Sequence, residues 1–372
     1  MNVLVAMEGF AGALDSVEAC AAVRRGLLPA RPDCSVEMRP MADGGQGTAR
    51  ALLASRGGAW IPVRVRGPLP GQEVEAGMAW LPRDKTAFIE CAAAAGLALA
   101  PRDRRDLLRA TSYGVGELIA EATQLGAEKL LVGAGATMST DGGIGMAAAL
   151  GFRFLDAEGK DVELCALGLG RIATIAPPAS LDLPPMQVLH HVDNPLLGPN
   201  GAARALAPRK GADAEQVELC EAGLRRLTEL TRRQLGREAA DLPGSGAAGG
   251  LAFGAAAFLG ATLAPGARAI LATMRLPEEM PRFDFVLVGG PRLTADELKN
   301  KPAGLVARIA RALGKPAAAI VGGVEIGAAA WREAGISSVT QISPEGWSTA
   351  ELERAIADAA ADFGRKRLPP SD

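Results

Sequence analysis

Short apolar runs alternate with amphipathic stretches along much of this chain. Residues 3–7 form an uncharged apolar run of the length that a buried parallel strand needs. Gly9 and Gly12 punctuate it, and Asp15-Ser16 offers capping chemistry for a helix over 17–27. Residues 34–38 alternate like a second strand, and a glycine-rich loop then opens a helix that runs to Leu53. The last third follows the same rhythm. Strands are predicted at 285–288, 317–321 and 338–342, with helices at 303–313, 326–333 and 349–363.

The middle of the chain reads differently. Residues 61–65 and 74–80 look like strands separated by Gly67-Pro68 and Pro70-Gly71 turns, and 86–89 is a third, ending in Glu90. Helices are predicted at 114–124, up to Leu150 and over 215–235, with further strands at 129–133 and 187–191. Strand-helix alternation at both ends predicts a parallel sheet covered on both faces. The expected fold is therefore α/β, with two different α/β domains. One is a doubly wound, mostly parallel sheet built from residues 1–68 and 283–372, and the other is an inserted domain over 69–282.

Size agrees with that division, since 372 residues exceed one ordinary core. The formal net charge of −2 gives no basic surface for nucleic acid, and no long uncharged apolar run suggests a membrane span. The five cysteines are odd in number and scattered, which fits reduced buried thiols better than a disulfide framework. The N-terminus lacks a basic segment before its apolar run and reads as a poor signal peptide, so the expected location is cytoplasmic. His190 and His191 are the only histidines, which makes a zinc site improbable; both read as strand and loop residues.

Four segments join glycine to an acid, amide or hydroxyl at expected strand ends. They are Asp43-Gly44-Gly45-Gln46-Gly47-Thr48, Thr140-Asp141-Gly142-Gly143, Val192-Asp193-Asn194-Pro195 and Gly244-Ser245-Gly246-Ala247-Ala248-Gly249-Gly250. Glycine adopts positive φ freely and lets successive N–H groups converge on an anion, of which phosphate is the commonest small example. An adjacent Asp suits Mg²⁺ or an acceptor hydroxyl. An Asp-Gly-Gly is also an ordinary turn, and none of the four is a Walker or dinucleotide fingerprint. Composition and spacing alone reach an α/β enzyme that handles an anionic small molecule.

The loops also resemble, in order, those of the bacterial glycerate kinase family. Met41-Ala42-Asp43-Gly44-Gly45-Gln46-Gly47-Thr48 is similar to MADGGEGT, and Glu90-Cys91-Ala92-Ala93-Ala94-Ala95-Gly96-Leu97 to EMAAASGL. Ser112-Tyr113-Gly114-Val115-Gly116-Glu117 resembles TYGTGE, and Thr140-Asp141-Gly142-Gly143 stands where the family has NDGG. The stretch from Val192 to Ala203 agrees with VDNPLLGPNGAA throughout, Pro208-Arg209-Lys210-Gly211-Ala212 resembles PQKGA, and Gly246-Ala247-Ala248-Gly249-Gly250 resembles GAAGG. The resemblance implies ATP- and Mg²⁺-dependent phosphorylation of D-glycerate or a related hydroxy acid, at the 2-hydroxyl, in a cleft between two α/β domains. It implies catalytic roles for Asp43, Asp193 and Lys301, with Asp193 also a metal ligand. Substrate or nucleotide contacts would fall to Gly44, Gly45, Thr48, Glu90, Asp141, Gly142, Gly143, Asn194, Lys210, Gly249 and Arg292.

The chain departs from the family at several polar positions. The family's DSFKGS reads Glu8-Gly9-Phe10-Ala11-Gly12-Ala13, so a lysine is lost at Ala11. Gln46 replaces a glutamate. TGEGRID reads Val288-Gly289-Gly290-Pro291-Arg292-Leu293-Thr294, which removes acids at Gly290 and Thr294, while Asp296 and Glu297 lie nearby. Three readings stay open on the residues: an active kinase, a kinase with a changed acceptor, and a non-catalytic relative that binds a small anion or a partner. Glu90 and Lys210 are as well suited to structural ion pairs as to ligand binding.

Overall fold

The computed structural model describes residues 1–10, 13–343 and 345–368. In chain order the strands are β1 (Asn2–Met7), β2 (Ser35–Met38), β3 (Ala59–Arg66), β4 (Glu73–Leu81), β5 (Thr86–Glu90), β6 (Lys129–Ala134), β7 (Arg153–Leu155), β8 (Thr174–Ala176), β9 (Met186–His190), β10 (Thr262–Pro265), β11 (Phe285–Leu293), β12 (Ala317–Val324) and β13 (Ile336–Gln341). The chain divides into two compact α/β units.

The first unit comprises Met1–Asp43, Arg50–Gly57 and Ala267–Asp372. Its sheet runs β13-β12-β11-β1-β2, every pair parallel. β1 is buried from Val3 to Met7, as a central parallel strand covered on both faces must be. The helix Ser16–Ala30 starts with a capping box, in which Asp15 accepts from Glu18 N and Glu18 accepts from Asp15 N. It packs against the C-terminal helix Thr349–Lys366, whose own capping box joins Ser348 and Glu351.

The second unit comprises Gly44–Ala49 and Gly58–Gly266. Its sheet runs β10-β9-β6-β5-β4-β3. β10, β9, β6 and β5 are parallel, and β4 and β3 extend the sheet as antiparallel strands. β7 and β8 form a small antiparallel ribbon beside a second apolar cluster that includes Phe154, Leu169, Leu224 and Phe253. Residues 244–264, weakly apolar in sequence, become a buried turn of 3₁₀ helix, the helix Leu251–Leu259 and the edge strand β10.

Two boundaries differ from the sequence-based expectation of 68 and 283. β3 pairs along its whole length with β4, so the chain, after contributing Gly44–Ala49, enters the second unit for its main run at Gly58. The return falls at Ala267, because the helix Gly266–Thr273 clusters with the terminal sheet. β11 is also longer than the expected 285–288; it continues through Gly290 to Leu293, its register with β12 running from Gly290 to Arg292 across Pro291.

The contact between the two terminal-unit helices is close at Gly26, where an added Cβ would lie 1.8 Å from the carbonyl oxygen of Ala357. Gly26→Ala gains helix propensity, worth about 1 kcal/mol, but forces this backbone contact apart. We expect a net loss of roughly 1–3 kcal/mol in urea unfolding. A variant as stable as the parent would show that the two helices adjust freely here.

Candidate active site

In the first unit, a cluster forms at the carboxyl ends of β1 and β2 and just beyond β11. Backbone pairing of Met41 N with Met7 O carries the chain from β2 past the end of β1 to Asp43. Thr294 caps the short helix Ala295–Asn300 by accepting from Glu297 N at 3.1 Å, and Lys301 is the N-cap of the helix Pro302–Ala312. Lys301 Nζ donates to Asp43 Oδ2 at 2.6 Å. Glu8, the residue after β1, accepts from Ala303 N at 3.0 Å, in the first turn of the Pro302–Ala312 helix, where a carboxylate is favoured.

These groups titrate as an interacting set. Burial, Glu297 and Asp43 push the Glu8 carboxyl up to about 8, against the Ala303 N–H and Lys301. Burial pushes Glu297 up to about 7, with Asp296 and Asp43 adding to the rise and Lys301 opposing it. For Lys301, burial works against the charge, but Asp43, Glu297 and Glu8 outweigh it and raise its pKa above the ordinary value.

Glu8 and Glu297 were not among the sequence-predicted site residues. The signal available for Glu8 was its position in the DSFKGS-like stretch, where it follows β1 directly. The structure shows what surrounds the two positions where the family's acids are missing. A Cβ on Gly290 would lie 3.2 Å from Glu8 Cβ, so Glu8 occupies the space next to that strand position. Thr294 keeps the capping role that Asp performs equally well. Glu297 joins the cluster, while Asp296 turns aside to accept from Asn300 Nδ2 at 2.7 Å. Arg292 is exposed and pairs with Glu325. Ala11 lies outside the described residues.

In the second unit, several predicted ligand residues are engaged internally. Glu90 accepts from Ala49 N at 2.8 Å and also from the N–H groups of Gly47 and Thr48. The nest formed by this glycine loop thus already holds an anion from the chain itself. Burial raises the Glu90 pKa against those three donors. Thr48 Oγ1 donates to Gly45 O at 2.7 Å, Gly44 packs on Leu189 with φ +91°, and Gln46 is exposed.

Asp141 is fully buried and accepts from Ser112 N, Ser112 Oγ, Gly143 N and Gly145 N at 2.7–3.3 Å. Burial raises its pKa and these donors lower it. The carboxylate braces the loop before the helix Ile144–Ala149. Gly142, Gly143 and Gly249 serve the packing of two buried loops: Gly142 N donates to Gly249 O at 3.1 Å, and a Cβ on Gly249 would lie 2.1 Å from Ser139 O. Lys210 Nζ donates to Ser139 O at 2.6 Å, with Thr140 Oγ1 at 3.5 Å. Burial lowers its pKa to about 8, opposed by Asp141 and Cys220.

Asp193 differs from these residues. Its side chain is 77% exposed, and its Oδ1 lies 3.4 Å from Nδ1 of buried His190. Burial lowers the His190 pKa, so that imidazole is neutral and close to Val192 O at 3.0 Å. Asn194 closes the loop through Nδ2 to Asn200 O at 2.7 Å, and its carbonyl accepts from Gly246 N at 2.9 Å. Among the described residues, Asp193 accepts no backbone N–H, so capping does not account for its charge.

Among the described residues, no group of three or more His, Cys, Asp or Glu side chains is arranged to hold a metal. That donor set does not make a dedicated metal cage. The exposed Asp193 carboxylate is of the chemical type that can join phosphate oxygens and water around Mg²⁺. Among the described residues, no helix is long and apolar enough to cross a membrane.

The sequence profile of the glycerate kinase family matches residues 3–366. The chain is 38% identical to the uncharacterized protein slr1840 of Synechocystis sp., over 86% of this chain and 85% of that one. It is 34% identical to glycerate 2-kinase of Escherichia coli K12, over 92% of this chain and 90% of that enzyme. A crystal structure provisionally assigned as glycerate kinase 2 from Salmonella typhimurium LT2 superposes with a TM-score of 0.87 at 32% identity, covering 98% of this chain and 97% of that one. Fold, loops and relatives define a phosphotransferase of the kinase type. The chain belongs to the glycerate kinase family.

The acid cluster makes stability depend on pH. Glu8 stays protonated in the folded chain up to about 8, whereas its ordinary value is 4.5. Between these values the folded chain holds a proton that the unfolded chain has released, so stability falls as pH rises through this window. Gln at position 8 cannot ionise and can still accept from Ala303 N. Glu8→Gln should therefore gain stability relative to the parent between pH 5 and 9, by on the order of 2 kcal/mol in urea titrations. A difference that stays constant across that range would refute the raised titration.

Proposed function

We propose that the chain transfers the terminal phosphoryl group of ATP to the 2-hydroxyl of D-glycerate or a closely related hydroxy acid. The observation that carries this reading is the Lys301–Asp43 pair set beside Glu8 and Glu297. The acceptor oxygen forms a bond to phosphorus, the bond from phosphorus to the departing diphosphate oxygen breaks, and the hydroxyl proton must leave. Lys301 supplies positive charge where phosphoryl oxygens gain negative charge. Asp43, held by Lys301, orients the hydroxyl. Glu297, titrating near neutrality and less buried than Glu8, receives the proton. Asp193 would hold Mg²⁺, whose charge, when bound with the nucleotide, offsets that of the phosphates. Glu90 and Asp141 act through the loops that they brace. The proposed location is cytoplasmic, which the five free cysteines support.

The names of the relatives support the acceptor, and the geometry supports proton and charge handling. Thr294 keeps a capping role where the family has an acid, and Glu297 joins the cluster nearby, which supports an active enzyme over a non-catalytic relative. In an Mg·ATP assay with D-glycerate, Lys301→Ala should lower kcat/KM by roughly 10²–10³. Asp193→Asn should lower turnover sharply and leave the melting temperature unchanged. If the parent phosphorylates neither D-glycerate nor related hydroxy acids, the reading is lost. If Asp193→Asn turns over like the parent, Asp193 has no part in the chemistry.

A further inference from the structure

The short helix Ala295–Asn300 carries Glu297 in its first turn, and Lys301 follows it directly. Lys301 N donates to Glu297 O at 3.3 Å, so one turn of chain presents both groups. A helix of six residues has little stability of its own, and its geometry depends on what packs against it. Thr294 caps its start. Its last carbonyls have no partners inside the helix.

One side chain takes two of those carbonyls. Arg308, in the helix Pro302–Ala312, donates from its two terminal nitrogens to Leu298 O and to Lys299 O, the latter at 2.6 Å. Four residues earlier on the same face of that helix, Gly304 brings the two segments into contact, and an added Cβ there would collide with the backbone of Glu297 and Leu298. Burial, and after it the nearby Arg268, push the Arg308 pKa below its ordinary value, so this cation sits at a disfavoured place. The partial negative charge of a helix end offsets that cost. A guanidinium fork reaches two successive carbonyls at once, which a single ammonium does less well.

We propose that Arg308 is a positioning residue for the phosphotransfer. Its fork fixes the end of the Ala295–Asn300 helix against Gly304, and so holds the Glu297 carboxyl in the field of Lys301. The role rests on the reading in which Glu297 receives the acceptor proton and Lys301 supplies charge. The placement of Glu297 can be read without turnover.

Carboxyl ¹³C NMR and steady-state kinetics on the full chain test it together. Arg308→Met keeps the aliphatic stem and removes both donors. The Glu297 resonance, identified by its loss in Glu297→Gln, titrates at about 7 in the parent. In Arg308→Met it should titrate at least about one pH unit lower, as the released carboxyl gains water. With Mg·ATP and D-glycerate, kcat should fall roughly tenfold or more while KM for D-glycerate stays within about twofold. Arg308→Lys, which can still donate to a carbonyl, should recover part of both losses. Gly304→Ala should move the resonance in the same direction, and it carries the test if Arg308→Met does not fold. Gly26→Ala, destabilised elsewhere in the same unit, should leave resonance and kcat as in the parent.

An unmoved Glu297 resonance in the folded variant would overturn the proposal. So would a moved resonance with unchanged kcat, or equal effects from Gly26→Ala. A moved resonance in a chain that transfers no phosphate would remove the kinase reading and leave the placement of Glu297 by Arg308 standing. An unmoved resonance with full turnover would do the reverse.

Discussion

The ammonium of Lys301 hydrogen-bonds Asp43 in the first unit and stands in the field of the Glu8 and Glu297 carboxyl groups. Burial, with the neighbouring acids adding to it, keeps protons on Glu8 and Glu297 well above the usual carboxylate range, and Lys301 only partly opposes the rise. Neighbouring features of that unit answer to this balance. Gly290 leaves room for Glu8 beside β11. Ala303 gives Glu8 a backbone donor at a helix start, and Thr294 fixes the short helix that delivers Glu297. An acid that titrates near neutrality beside a fixed lysine is the arrangement on which the proposed phosphotransfer rests.

The second unit shows a different use of the same residue types. Glycine loops that read as phosphate cradles are partly occupied by the chain's own acids. Glu90 fills the nest at Gly47–Ala49, and Asp141 gathers four donors from two loops. Such internal anions hold the loops in shape without a ligand, which is preorganisation in its plainest form.

Much of the fold was legible because burial on both faces of a parallel sheet leaves continuous apolar runs such as residues 3–7 and 317–321. The unit boundaries were less so. β3 carries no mark saying that its partner is β4 rather than the terminal sheet; that is decided by pairing, and it moves the boundary from 68 to Gly58. Asp43 and Lys301, both named from the family resemblance, touch across 258 positions of sequence. The roles of Glu90 and Asp141 were not legible, since an acid near a glycine loop looks the same in sequence whether it awaits a ligand or satisfies the loop's own N–H groups. Glu8 and Glu297 escaped for a related reason. Their importance comes from burial and from each other, and neither is written in local spacing.

Carboxyl ¹³C NMR on protein labelled at glutamate reads the central balance directly. Two resonances, removed one at a time by Glu8→Gln and Glu297→Gln, should titrate at about 8 and about 7, and each should shift when the other residue is replaced. If both resonances instead titrate in the ordinary glutamate range, near 4.5, and ignore each other, the acids do not share the charge of Lys301 and the account of this site fails.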